Sequence, residues 1–179
     1  PAPPRGGGAG EDAPPAPPPR CCARRAPTWL PSPFCWSSRT SAAGTATDAR
    51  GVVDAGADGL ALINTVLGMV INTETMRPHL GGKTGGLSGP AIRPIAVRAI
   101  YQVRQALPNV SILGMGGVAS GKDAFEMILA GASGVSIGTA SFGDPSAVFR
   151  IQNDLREILI AKGFSSVKEA VGFAHREEA

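Results

Sequence analysis

The sequence predicts an α/β fold built on a parallel sheet, and two features of residues 51–179 support this. Short, wholly apolar segments of strand length alternate three times with longer segments whose apolar residues recur at helical spacing. The short segments do not alternate apolar with polar residues, so each strand is expected to be buried on both faces. Three strand–loop–helix units fit either a small open sheet or the last third of a (β/α)₈ barrel.

The first unit contains the first predicted strand. ARGVVDAGADG predicts the end of a helix and a Gly-rich turn, and the strand GLALIN follows at Gly59–Asn64. A long polar excursion comes next, with five glycines from Gly81 to Gly89. A helix is predicted from Pro90 to Pro108, with arginines outside (Arg93, Arg98, Arg104). Its inner stripe consists of Ile92, Ile95, Ala96, Ala99, Ile100 and Val103.

The second unit begins with a strand at Val110–Gly117, which runs into glycines. A helix is predicted at Ser120–Ala132, with Ser120 as its N-cap and Asp123 in its first turn. Gly131 is expected to end this helix.

The third unit begins with a strand at Gly134–Phe142. A helix at Pro145–Lys162 follows and is stopped by Gly163, and a short helix is predicted at Ser165–His175. One stripe of the longer helix carries Ile151, Leu155 and Leu159.

Residues 1–48 differ in composition from residues 49–179. The first fifty residues hold 11 of the 16 prolines, all three cysteines and one leucine, but no valine or isoleucine. Such a segment cannot bury enough apolar surface to offset the entropy of ordering, so residues 1–48 are predicted to be disordered. Residues 49–179 are predicted to form the folded domain.

The formal net charge of +3 comes from the first fifty residues, where six arginines face three acidic residues. A basic footprint for nucleic acid should lie on a folded face, so no nucleic-acid partner is expected. No apolar run of about 18 residues is present, and PAPPRGGGAG lacks the apolar core of a secretory signal. We therefore expect a cytoplasmic protein without a membrane partner.

The cysteines do not indicate a metal site. Cys21 and Cys22 are adjacent, Cys35 stands apart, and both His79 and His175 lie far away in sequence. Zinc sites need paired ligands at closer spacing, so no metal is predicted.

The predicted strand ends are where chemistry is expected, because ligands of parallel α/β folds bind at the carboxyl ends of strands. Gly116–Gly117 and Gly138–Thr139 each lie where a strand turns toward a helix, an arrangement suited to phosphate. Asn64–Thr65 could cap the loop as a turn or hydrogen-bond a planar polar ligand. Lys83 lacks the spacing of a Walker A loop.

Five blocks of the sequence, in order and spacing, resemble the carboxyl-terminal part of dihydroorotate dehydrogenase. The resemblance runs from about Ala49 to about His175, and GGLSGPAIRP is closer to the class 1B enzymes than to the membrane-attached class 2 type. The blocks are GADGLALINTVLGMVINTETMRP, TGGLSGPAIRP, ILGMGGV, DAFEMILAGAS and VSIGTASFGDP.

The resemblance implies an FMN-containing (β/α)₈ barrel that oxidises dihydroorotate to orotate in pyrimidine (UMP) biosynthesis. It implies that Asn64 and Thr65 hydrogen-bond the orotate ring. It implies FMN contacts, the last four of them around the phosphate, from Ile63, Gly89, Gly116, Gly117, Gly138 and Thr139. In class 1B enzymes the electrons leave through a separate subunit that carries FAD and an iron–sulfur cluster, and a homo-oligomer is expected.

The sequence departs from the family at its catalytic residues. The family's general-base cysteine is expected at or before Pro1, and its flavin-adjacent lysine near residue 37, where the sequence has Trp36–Ser37–Ser38. No lysine precedes Lys83. We therefore expect a fragment with negligible turnover on its own.

A shifted reading frame accounts for the missing lysine. Codons built from the last base of each codon and the first two of the next make Phe34–Cys35 and Cys35–Trp36 both leucine, and they permit lysine at Ser37–Ser38. From Thr28 the shifted frame permits Leu-Ala-Pro-Val-Pro-Val-Leu-Leu-Val-Lys, a strand ending in lysine. The hypothesis is that residues 1 to about 45 are out of frame, through a sequencing error or a true frameshift.

Two other functions are open at the level of sequence. One is a non-catalytic half-barrel that binds FMN or phosphate and assembles with a copy of itself. The other is a different barrel enzyme that binds a phosphorylated ligand, although the Asn-Thr and GGLSGPAI blocks count against it.

Overall fold

The computed structural model of the chain describes residues 35–36 and 45–176, the first two by their backbone only. The strands in this part are β1 (Cys35–Trp36), β2 (Gly59–Leu62), β3 (Val66–Gly68), β4 (Ile71–Asn72), β5 (Arg77–Pro78), β6 (Gly85–Leu87), β7 (Ser111–Met115) and β8 (Gly134–Ser136). The α-helices are α1 (Thr45–Asp54), α2 (Arg93–Ala106), α3 (Gly121–Ala130), α4 (Ala140–Gly143), α5 (Ala147–Ala161) and α6 (Val167–Ala170). Two 3₁₀ turns lie at Pro90–Ile92 and Phe173–His175.

Four strands form one parallel sheet in the order β1-β2-β7-β8. Leu60 of β2 pairs with Ile112 of β7, and Leu113 of β7 pairs with Gly134 of β8. All four residues of β2 are buried, which confirms a strand covered on both faces. The predicted parallel α/β architecture is therefore confirmed, and each crossover from β2 to β7 and from β7 to β8 contains a helix.

The helices build the core against this sheet. Helix α2 packs against α3, and α3 packs against α5. The predicted inner stripe of α2 is buried or partly buried along its length, and Ile100 is fully buried. Each fully buried Ile or Leu side chain contributes about 1.5–3 kcal/mol, so this stripe is a main source of stability. Gly114 lets α2 approach β7, because a Cβ atom there would lie 3.0 Å from Ile100 Cδ1.

Both ends of α3 are as predicted. Ser120 is the N-cap, and its hydroxyl accepts a hydrogen bond from the Asp123 N–H, while the Asp123 carboxylate accepts one from the Ser120 N–H. This reciprocal capping box satisfies donors that the helix itself leaves free. Gly131 is the C-cap with φ of 122°, a conformation that glycine adopts readily.

The polar excursion after β2 is structured, which the sequence did not predict. Strands β3 and β6 pair antiparallel, and β4 pairs with β5 inside them, so residues 66–87 form a protruding hairpin. The strands have two or three residues each, too few for a periodic pattern. Seven large apolar side chains of this hairpin are exposed: Leu67, Met69, Val70, Ile71, Met76, Leu80 and Leu87.

Two boundaries in the last third of the chain were predicted wrongly. The predicted strand Gly134–Phe142 ends at Ser136, and Ala140–Gly143 is a turn of helix. The predicted helix at Ser165–His175 is broken into α6 and a 3₁₀ turn, because Gly172 takes φ of 67°. Helix α5 agrees with the prediction, with Ile151 and Leu159 buried on one stripe.

The prediction of disorder for residues 1–48 lies mostly outside the described residues. Within them, β1 pairs in parallel with β2, and α1 begins at Thr45, four residues before the predicted domain boundary. No helix in the described part of the chain is long and apolar enough to cross a membrane.

Candidate functional site

The carboxyl ends of β2, β7 and β8 open into one cleft with a volume of about 260 Å³. This volume is close to the lower end of the range for small-molecule sites. The cleft lies where ligands of parallel α/β folds bind, beyond the strand ends. It brings together all eight residues that the sequence singled out: Ile63, Asn64, Thr65, Gly89, Gly116, Gly117, Gly138 and Thr139.

Asn64 and Thr65 follow β2 after Ile63 and are exposed in the cleft. The Asn64 Oδ1 atom accepts hydrogen bonds from the Thr65 N–H at 2.7 Å and from the Thr65 hydroxyl at 3.4 Å. The local turn interaction therefore exists, and it uses the amide oxygen. The other end of the same amide is an NH₂ group with two donors, which suits the oxygen atoms of a planar ligand.

Gly86 of the hairpin sets the position of Thr65. A Cβ atom at residue 86 would lie 2.7 Å from Thr65 Cβ and closer still to its hydroxyl oxygen. Only a glycine at this point of β6 leaves room for the Thr65 side chain. Gly86 and Thr65 lie 21 residues apart in the chain, so the glycine content of this segment alone does not indicate their contact.

The turn after β7 also depends on glycine. Gly116 and Gly117 have φ values of 119° and 78°, which side chains rarely adopt. A Cβ atom at Gly117 would lie 2.7 Å from the Gly89 carbonyl oxygen and 2.9 Å from Arg93 Cβ. Gly117 therefore lets the β7–α3 turn touch the start of α2.

The third wall of the cleft is the segment after β8. The Thr139 hydroxyl donates a hydrogen bond to the Ser88 hydroxyl at 3.0 Å, which links this segment to the loop before α2. A Cβ atom at Gly138 would meet no other atom within 4 Å, so this glycine faces open space. Ser88 was not singled out from the sequence, because a single serine between Leu87 and Gly89 carries no local signal.

The residues that line the cleft in the described part of the chain carry no charge. Their side chains are aliphatic, hydroxyl and amide groups, and none of the residues that line it is Asp, Glu, Lys, Arg, His or Cys. A bound anion must therefore be held by backbone N–H groups and hydroxyls rather than by a cation.

The shifted pKa values belong to residues outside the cleft. Burial lowers the pKa of the Arg104 guanidinium, which donates to the Gly131 carbonyl at 2.7 Å from Nη2. Hydrogen bonds from Ser146 and then from Arg150 lower the pKa of Asp144, which is partly exposed. Three or more His, Cys, Asp or Glu side chains placed to hold a metal do not occur within residues 45–176.

The sequence predicted that the arginines of α2 face solvent, but Arg93 and Arg104 also contact other elements. Arg93 forms ion pairs with Asp123 at 2.5 Å and Glu126 at 3.0 Å, both on α3. Arg104 is half-buried against the turn that ends α3. These contacts join elements that are far apart in sequence, so spacing along one helix could not predict them.

Comparisons with known proteins identify relatives of the chain. The family model described as dihydroorotate dehydrogenase matches residues 43–159. The catalytic subunit of dihydroorotate dehydrogenase B (NAD(+)) from Bacillus pumilus is 48% identical over 131 residues, which cover 73% of this chain and 42% of that protein. The subunit of the same name from Desulforamulus reducens is 49% identical over 127 residues, covering 71% of this chain and 41% of its own length.

Solved structures of dihydroorotate dehydrogenases are also similar to the chain. Dihydroorotate dehydrogenase from Eimeria tenella, in complex with ferulenol, matches with a TM-score of 0.67 and 28% identity. The match covers 80% of this chain and 38% of that one. The chain thus spans about two fifths of the length of the curated relatives it matches, and its βα units correspond to part of their barrel.

Proposed function

The chain belongs to the dihydroorotate dehydrogenase family, and from this premise we propose that its cleft binds FMN and orotate in an enzyme that oxidises dihydroorotate to orotate. The observation that carries the proposal is the convergence of Asn64–Thr65 with two glycine turns in one uncharged cleft. The family is one of oxidoreductases that act in pyrimidine biosynthesis. The cofactor and the role of each residue are our inference.

The glycine turns after β7 and β8 are proposed to hold the FMN phosphate. Gly116 and Gly117 would receive it on one side, and Gly138 and Thr139 on the other, with Ile63 and Gly89 against the rest of the cofactor. Open space at Gly138 and the absence of charged lining support a site that uses backbone N–H groups. Oxidation of dihydroorotate needs a hydride acceptor, and FMN supplies that chemistry when it is bound.

Asn64 and Thr65 are proposed to orient the substrate ring. The Asn64 oxygen is held by the Thr65 N–H, which leaves the amide NH₂ to donate to ring carbonyl or carboxylate oxygens. Contacts of this kind fix which face of the ring meets the cofactor, and they set specificity for a planar polar substrate.

Replacing Asn64 with leucine tests the substrate site. Leucine has nearly the same shape but no polar group, so orotate affinity should fall about tenfold to a hundredfold, the usual cost of one to two hydrogen bonds to a charged ligand. FMN retention should stay unchanged. Equilibrium dialysis with radiolabelled orotate measures the change.

The matched control is Asn153→Leu, an exposed asparagine of α5 far from the cleft. Equal orotate affinity in the wild type and Asn64→Leu would contradict the assignment of Asn64. If Asn64→Leu lost FMN binding as well as orotate binding, the residue would act on the fold of the cleft rather than on the substrate.

We propose that electrons leave this site through a separate subunit. The relatives are named catalytic subunits of an NAD(+) enzyme, which supports a second subunit. An FAD and iron–sulfur subunit is the partner that the resemblance implies. This chain alone should show negligible turnover, because no lysine precedes Lys83 and the cleft contains no base. FMN-dependent formation of orotate by the purified chain would contradict this.

We also propose that residues 1 to about 45 are out of frame. The family match begins at residue 43, and the two-residue strand β1 pairs with β2 at the positions where the shifted frame encodes consecutive leucines. The nucleotide sequence tests the proposal. A shifted frame encoding the strand Leu-Ala-Pro-Val-Pro-Val-Leu-Leu-Val-Lys is expected, and a gene in which no shifted frame encodes it would refute the idea.

A homo-oligomer is proposed from the exposed hairpin. Seven large apolar side chains lie exposed within residues 66–87, and clustered apolar surface of this kind marks interaction sites. Light scattering during gel filtration is expected to give at least a dimer mass. A monomer at all accessible concentrations would contradict the proposal.

A second candidate function is a non-catalytic flavin-binding protein. The observation that favours it is that none of the described residues lining the cleft is Asp, Glu, Lys, Arg, His, Cys or Tyr. A stable yellow protein that makes no orotate, even with an artificial electron acceptor and after restoration of the frame, would support this candidate over the enzyme.

A further inference from the structure

The start of α2 and the loop before α3 are joined by a network of charged groups beside the cleft. Arg93 directly follows Ile92, which lines the cleft, but Arg93 is not itself among the lining residues. Its Nη1 atom contacts Asp123 Oδ1 at 2.5 Å, and its Nε atom contacts Glu126 Oε2 at 3.0 Å. The Asp123 side chain is only 13% exposed, so this pair is shielded from solvent more than an ordinary surface pair.

The second oxygen of Asp123 holds the loop that lines the cleft. Asp123 Oδ2 accepts hydrogen bonds from the Ala119 N–H at 3.0 Å and the Ser120 N–H at 2.9 Å. Ala119 is part of the cleft lining. One carboxylate therefore connects the β7–α3 loop on one side with Arg93 on the other.

Arg93 also contacts the other end of the same loop. A Cβ atom at Gly117 would lie 2.9 Å from Arg93 Cβ and 3.0 Å from its backbone nitrogen, so the Gly117 backbone rests directly on this residue. The loop from residue 117 to residue 120 is thus fixed at both ends against Arg93, by backbone packing at Gly117 and through Asp123 at Ala119.

The negative charge of Asp123 must be offset if an anion is to bind near the start of α3. A carboxylate in the first turn of α3 suits the helix dipole, but it would repel an anion bound at the same end of the helix. Arg93 offsets the charge of the Asp123 carboxylate, and it also pairs with Glu126, whose half-exposed carboxylate is screened by solvent. The cleft can then accept a phosphate without a cation in its own lining.

We propose that Arg93 is a positioning residue for phosphate binding, which holds the loop 117–120 in place through Asp123 and cancels the charge of that carboxylate. This inference rests on the proposed function for the identity of the anion, the FMN phosphate. The positioning of the loop 117–120 by Arg93 does not depend on any ligand. Arg93 does not contact the ligand and acts only through the loop.

The first test compares FMN with riboflavin, which lacks the phosphate. In Arg93→Gln the FMN dissociation constant should rise about tenfold or more, the effect of weakening charge-assisted contacts, whereas riboflavin affinity should stay within about twofold, as expected where no phosphate contact is lost. Arg93→Lys should be intermediate, because an ammonium cannot hold both carboxylates in a fork. Equal losses for FMN and riboflavin would overturn the proposal and leave Arg93 a purely structural residue.

The second test needs no flavin. Hydrogen exchange of the Ala119 and Ser120 amides should be about tenfold faster in Arg93→Gln, because their acceptor is no longer held. Arg50→Gln is the matched control, since Arg50 bonds the Ala106 carbonyl at the opposite end of α2. Unchanged exchange in Arg93→Gln would refute the positioning role even if FMN binds. Failure of the wild type to bind FMN would refute the proposed function. The exchange result would still decide whether Arg93 positions the loop.

The double variant Arg93→Gln with Asp123→Asn separates charge from position. An asparagine oxygen can still accept from the loop, but the unpaired negative charge is gone. FMN affinity should recover relative to Arg93→Gln alone. A double variant that binds FMN no better than the single one would contradict the charge role.

Discussion

Gly117→Val is expected to lose both stability and FMN. The residue has φ of 78°, and a Cβ atom would lie 2.7 Å from the Gly89 carbonyl oxygen, a backbone atom that cannot rotate away. The left-handed backbone and the overpacking together should lower the free energy of unfolding by about 2–4 kcal/mol. Because the same turn is proposed to hold the phosphate, the variant should emerge from a desalting column without flavin.

Denaturant unfolding and the flavin absorbance of the desalted protein measure the two effects. Gly81→Val is the control, because this hairpin glycine has ordinary φ and nothing within 4 Å of an added Cβ. It should match the wild type in both measurements. A Gly117→Val protein with unchanged stability and normal flavin retention would show that the turn does not touch the start of α2 as described.

Gly138→Val is expected to lose FMN without losing stability. An added Cβ atom meets no other atom within 4 Å, so the free energy of unfolding should change by no more than about 0.5 kcal/mol. The new methyl groups would instead fill the space proposed for the phosphate. Loss of two charge-assisted hydrogen bonds corresponds to an FMN affinity about a hundredfold weaker.

Fluorescence titration of FMN measures this affinity. Gly143→Val, five residues further on, is the matched control, because it also has open space around it and does not line the cleft. Normal FMN affinity in Gly138→Val would place the phosphate elsewhere. The pair of variants at residues 117 and 138 separates damage to the fold from obstruction of the ligand.

The sequence predicted the elements whose signals are local. These signals are the apolar run predicted as a strand at Gly59–Asn64, the apolar stripe of α2, and Ser120 as N-cap with Asp123 in the first turn of α3. Each depends on residues within a single helix or strand. Parallel pairing then brings the carboxyl ends of the strands together. The eight predicted site residues meet in one cleft, and all but Gly89 follow such a strand end in the sequence.

The sequence could not predict features that depend on the third dimension. The short strands β3 to β6 have no periodicity, and their pairing through Gly85–Leu87 is set by contacts across the hairpin. The clash that would arise between residue 86 and Thr65, and the ion pairs from Arg93 to α3, join distant segments. The apparent end of the third strand was misjudged, because Ile137 and Phe142 have strand-like character although a turn of helix begins at Ala140.

The most direct test of the central claim is the absorbance spectrum of the purified chain after incubation with FMN, or separately with riboflavin, and desalting. We predict that the flavin band is retained with FMN and lost with riboflavin, because the backbone turns after β7 and β8 bind the phosphate. A colourless protein after incubation with FMN, or equal retention of both flavins, would contradict the claim that this cleft is a phosphate-binding flavin site.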